Sequence, residues 1–161
     1  MKKLFLTFFI ILFLDQLTKF LVRTGMNLYD SIPVIKGFFN ITYILNPGVA
    51  FGLFSHVNHD ISRVFFIIVS LIASAVVFYL LITEINFKFR SYAYTLIIAG
   101  AIGNLVDRLI VGQVVDFLDF NIGRYHYPAF NVADSAVTIG LTILAIDLIF
   151  FNKEVSNENK T

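Results

Sequence analysis

Residues 99–120 read AGAIGNLVDRLIVGQVVDFLDF. The stretch opens as the end of an apolar run long enough to cross a bilayer, yet it carries Asn104, Asp107, Arg108, Asp116 and Asp119. An ionisable side chain at membrane depth costs about 2.5–3.5 kcal/mol or more unless it is paired or faces a cavity, so such residues mark function by default. A second polar island, FNVADSA at 130–136, returns to the membrane with Asn131 and Asp134. Asp116 and Asp134 are expected to meet there.

A chain of 161 residues of which 58% are hydrophobic and only 14% charged describes a membrane protein rather than a soluble domain. A net charge of +1, with no basic stripe and no RNA-binding or zinc-finger signature, excludes nucleic acid as a partner. Cysteine is absent, which removes disulfides, thiolate metal sites and a cysteine nucleophile together.

Four apolar runs, at about 4–22, 64–82, 92–110 and 132–151, are each near the ~20 residues that a bilayer needs. The first follows Met1-Lys2-Lys3 and could pass for a secretory leader, but it continues through Leu17, Phe20 and Leu21 with no small-x-small cleavage site, and reads as a retained span. Between spans one and two, residues 23–63 are punctuated by glycine and proline, and Phe39, Ile41, Tyr43 and Leu45 alternate with other residues, which suits short strands. Residues 84–90 form a polar hinge, 111–131 a loop and 152–161 a disordered charged tail. The expected fold is thus an all-α membrane bundle of four transmembrane helices with a small extracytoplasmic β-rich segment, one domain over 1–161. Lysine and arginine are more frequent on the side of the termini (Lys2, Lys3, Lys88, Arg90, Lys153, Lys160) than in the two longer connections (Arg23, Lys36, Arg63, Arg124), which puts both termini in the cytoplasm.

With that topology Asp15, Gln16 and Lys19 lie late in one outward-running span, Asn104, Asp107 and Arg108 late in another, and Asp134 early in an inward-running one. All three clusters fall at one depth, near the outer face. Two carboxylates held close cannot both ionise cheaply, so a pair presents an acid and a base near neutral pH, as amide hydrolysis requires. Asp116 sits in the apolar frame Val114-Val115-Asp116-Phe117, which raises its pKa, and Asp134 sits near a helix start, which favours its ionised form and the role of base. Each residue also has a plain structural reading. Asp134 is a natural N-cap for the fourth span, Asp107 and Arg108 suit interfacial ion pairs, Asp15 and Lys19 suit an i,i+4 pair, Asp119 suits a solvated loop edge, and Asp147 suits the inner surface or a pair there.

Other mechanisms have fewer residues to draw on. A serine–lysine dyad would need Lys19 near Ser55 or Ser135. Zinc would have to use His56, His59 and His126, and HVNH is not the HExxH pattern, so neither a metal nor another cofactor is expected. From another functional class, a small proton-coupled transporter or channel could use the carboxylates as a relay, provided that ionisable groups span the full thickness.

Five motifs in order resemble the lipoprotein signal peptidases (signal peptidase II), a family of bacterial membrane aspartic peptidases: DQLTK at 15–19, NPGVAF at 46–51, GNLVDR at 103–108, GQVVDF at 112–117 and FNVADS at 130–135. The one small departure is Ala101, where the family often has glycine. The resemblance implies a four-helix bundle with a β-cradle and an outer helical loop, and makes Asp116 and Asp134 the catalytic dyad. Asp15, Lys19, Asn46, Gly48, Asn104, Asp107, Arg108, Asn131 and Ala133 then bind substrate or support the site. It further implies prolipoprotein substrates with a diacylglyceryl group on the cysteine after the scissile bond, contact with membrane lipids, action as a monomer in the cytoplasmic (inner) membrane, and a site at the outer face.

Overall fold

The computed structural model describes residues 1–48, 59–123 and 125–150. The second half of NPGVAF, Ser55, His56, Arg124 and the tail lie outside the described residues. The elements in order are α1 (Lys2–Gly25), β1 (Ser31–Ile35), β2 (Phe39–Asn46), α2 (His59–Thr83), α3 (Lys88–Ile110), β3 (Val114–Ile122), β4 (Tyr125–Phe130) and α4 (Val132–Phe150). All four helices are long and apolar enough to cross a membrane.

Helix α3 is the axis of the bundle: α1, α2 and α4 all pack on it. It buries Ala93, Tyr94, Ile97, Ala99 and Leu105, whereas Phe5 and Phe13 of α1 and Phe65 and Ile72 of α2 stay exposed, a lipid-facing surface in a bilayer. In a membrane, helices associate through close backbone approach rather than through the hydrophobic effect, and small residues permit it. A Cβ on Gly100 would collide with the Ala133 carbonyl, and one on Gly103 would come within 2.6 Å of Asp15 Oδ2. Those two positions let α4 and α1 close onto α3, which is what brings their polar residues together.

At the end of the bundle where α1 and α3 finish and α4 begins lies an antiparallel sheet in the order β1-β2-β3-β4. Its first two strands fall within 23–63 as expected. The connection at 111–131, expected as a loop, is a β-hairpin instead. Alternation failed to reveal it because Val114, Val115, Asp116 and Phe117 are all buried, so neither face of the strand reads as polar. Pairing with β2, through Ile44↔Asp116 and Asn40↔Asp119, holds this hairpin in place.

Helix α3 also begins earlier than the apolar run, at Lys88, so the hinge shrinks to 84–87. Its first turn tolerates charge because Arg90 Nε donates to Asp147 on α4 at 2.5 Å and Tyr94 Oη to Glu84 at 2.9 Å. Asp147 therefore pairs at the end of the bundle away from the sheet.

Candidate active site

The site starts from Asp116, the third residue of β3, which is only 2% exposed. Asn46, the last residue of β2, accepts the Gly48 N–H on Oδ1 at 2.9 Å, which orients its amide so that Nδ2 donates to Asp116 Oδ2 at 2.8 Å. Gly48 has φ +94°, and a side chain there would run into the Phe66 ring. The other Asp116 oxygen accepts Asn131 Nδ2 at 2.7 Å.

Asn131 directly precedes α4 and is its N-cap: Oδ1 accepts the Asp134 N–H at 2.9 Å, while Asp134 Oδ2 accepts the Asn131 N–H at 3.2 Å. Asp134, expected as the cap in its structural reading, is instead the partner that completes a reciprocal box. That geometry leaves Asp134 Oδ1 to accept Asn104 Nδ2 at 2.8 Å. Half-buried Asp134 lines a groove of about 470 Å³ with Phe38, Phe120, Tyr127, Phe130 and Ile139. Asp116 is joined to Asp134 through Asn131.

Burial, with a smaller push from the nearby Asp134 charge, raises the Asp116 carboxyl from 3.8 to about 7 against the hydrogen bonds from Asn46 and Asn131 and the Lys19 charge, which pull it down. Desolvation outweighs the donors.

Under this pair lies a cluster centred on Lys19, 2% exposed, whose Nζ sits 2.9 Å from Asp15 and 3.0 Å from Asp107. Asp15 Oδ1 accepts the N–H of Ala133, the residue before Asp134, at 2.9 Å, and Asp107 Oδ2 accepts the N–H of Val115, the residue before Asp116, at 3.0 Å. One ammonium and two carboxylates thereby pin the backbone beside each candidate catalytic side chain. Lys19 also donates to Asn104 Oδ1 at 2.9 Å, which turns the Asn104 amide toward Asp134.

All eleven residues singled out in the sequence thus gather in this region, with differences in detail. Asp107 pairs with Lys19, while Arg108 donates to the Asn104 carbonyl at 3.1 Å and its guanidinium lies 5.4 Å from the Phe66 ring centroid. Asp119, expected at a solvated edge, is 6% exposed, because β3 faces it toward β2 where Thr42 donates at 3.0 Å. His126 Nε2 lies 2.7 Å from its other oxygen. Gln16, expected at this depth but given no role, and Arg63, expected only as a loop charge, also contribute. Gln16 donates to Asp15 and to the Gly103 carbonyl, and Arg63 caps the end of α3 by donating to the Arg108 and Leu109 carbonyls at 2.7 and 2.9 Å. For Arg63 the only available signal was a lone arginine beside an apolar run.

Between this cluster and the Arg90–Asp147 pair, the spans carry no acidic or basic side chain. A relay across the membrane has no intermediate carrier, and nothing favours the transporter reading.

A family model described as signal peptidase (SPase) II matches residues 7–150. A lipoprotein signal peptidase of Syntrophus aciditrophicus is 48% identical over 97% of this chain and 100% of its own length, and one of Desulforapulum autotrophicum is 50% identical over 88% of each. A bacterial membrane enzyme solved by the in meso method at 2.3 Å superposes with a TM-score of 0.84 at 37% identity, covering 98% of this chain and 92% of that one. The five ordered motifs, the four-helix bundle with its sheet and these full-length likenesses agree: the chain belongs to the signal peptidase II family.

Proposed function

We propose that the chain is an aspartic endopeptidase that removes the signal peptide from prolipoproteins, with Asp116 and Asp134 as its catalytic pair. The observation that carries this reading is Asn131, whose side chain donates to Asp116 while its backbone N–H and amide oxygen hold Asp134. Asp116, with its pKa near 7, is the acid and Asp134 the base. Asp134 takes a proton from water as the oxygen attacks the scissile carbonyl carbon, and Asp116 protonates the carbonyl oxygen. Asp134 then passes its proton to the amide nitrogen, the C–N bond breaks, and the diol returns a proton to Asp116.

The family resemblance supplies the substrate class, a diacylglyceryl-modified prolipoprotein. The apolar groove beside Asp134 suits acyl chains, whose burial is worth about 0.8 kcal/mol per CH₂. The excess of lysine and arginine at the opposite end supports cytoplasmic termini and a site at the outer face of the cytoplasmic membrane. Both carboxylates and their donors come from one chain, which supports action as a monomer. Asp116→Asn and Asp134→Asn should each lower prolipoprotein cleavage by about 10²–10⁴-fold while the chain stays inserted and folded. Cleavage at the parental rate in either variant rejects the pair.

A further inference from the structure

Helices α1 and α2 both pack on α3 yet make little contact with each other. At the end of the bundle away from the carboxylates they leave a groove of about 450 Å³, walled by Phe5, Phe9, Phe78, Ile82, Ile98 and Ile102. A second cavity of about 500 Å³ meets it at Met1, Leu4 and Ile85, and its character is different: Lys2, Lys3 and Lys88 line it. The three lysines are exposed, and among the described residues none is in an ion pair.

Helices α1 and α3 both start at this cavity, with no acidic residue in the first turn and no side-chain cap, so their positive poles add to the lysine charge. An apolar slot that opens through a lysine-lined mouth complements a molecule with one anionic head and a hydrocarbon tail. A secretory signal peptide begins with a positively charged segment, which three lysines repel. A zwitterionic lipid would bring an ammonium group to the same mouth.

We propose that the chain binds one anionic glycerophospholipid at this end, its phosphate among Lys2, Lys3 and Lys88 and an acyl chain in the groove between α1, α2 and α3. The lysines supply the recognition, since juxtamembrane basic groups each add measurably to the binding of anionic lipid.

Native mass spectrometry of the purified full chain, exchanged against phosphatidylglycerol or phosphatidylcholine, tests it. The parent should retain one phosphatidylglycerol with about tenfold or greater preference, and phosphatidylglycerol should raise its Tm. The triple variant Lys2→Gln, Lys3→Gln, Lys88→Gln should lose the preference and the Tm gain, and the corresponding triple change to arginine should keep both. Equal retention of the two lipids by the parent overturns the proposal. So does undiminished preference in the glutamine variant, or loss in the arginine variant. Displacement of bound phosphatidylglycerol by a basic signal peptide would hand the groove to substrate instead and likewise overturn it.

Discussion

Charging Asp116 is costly because the desolvation of a carboxylate at 2% exposure exceeds what its two amide donors and Lys19 return. With the folded pKa pushed up to about 7, the acid form is dominant below that pH and disappears above it. The kcat/KM profile should therefore show an alkaline limb near pH 7, since this parameter reports groups of the free enzyme. The Asn46 amide favours the ionised form, so Asn46→Ala should move that limb to higher pH as well as lowering activity. A limb that stays in place, or moves down, would show that Asp116 is not the acid.

Among elements, the load falls on the contacts that fix α1, α3 and α4 at one level. Lys19 is the shared counter-charge of two carboxylates at 0% and 3% exposure. Lys19→Met would leave both buried without a counter-charge, and the loss should be about 3–5 kcal/mol, read as a fall in Tm. Activity should fall with it, because the same carboxylates hold the N–H groups of Ala133 and Val115. An unchanged Tm would mean that the cluster contributes nothing net. Arg63 acts at a helix end: its guanidinium satisfies two α3 carbonyls where the chain turns through Gly112 (φ +92°) into β3. Charge-assisted bonds of this kind are worth about 1.5–3 kcal/mol each, so Arg63→Ala should lower stability and speed hydrogen exchange at 108–112 ahead of the rest of α3.

For the whole molecule, the spans set two ends apart, one with the sheet and the carboxylates and one with the lysines and the Arg90–Asp147 pair. The absence of cysteine makes the orientation simple to read. Tyr125→Cys, at a position 83% exposed on β4, should react with a membrane-impermeant maleimide on intact spheroplasts, whereas Asn86→Cys should react only after permeabilisation. The reverse pattern would invert the orientation and put the site at the cytoplasmic face.

The four spans, the common depth of the polar clusters, a strand-like run at 38–45 that the structure shows as β2 (Phe39–Asn46) and the i,i+4 pairing of Asp15 with Lys19 were legible in the sequence, because apolar run length and local spacing follow from neighbours along the chain. The motifs carried Asp116, Asp134 and Asn131 to one family. The packed fold was needed to show that 114–130 is a hairpin, that Asn131 rather than Asp134 caps α4, that Asp107 chooses Lys19, and that Asp119 is buried. Each of these is a choice of partner between segments far apart in the chain. Aspartates placed on a strand for use inside the fold also erase the alternation by which a strand is recognised. Helical propensity and hydropathy act within a few residues, whereas the pairing of a buried charge is settled only once α1, α3, α4 and the sheet have come together.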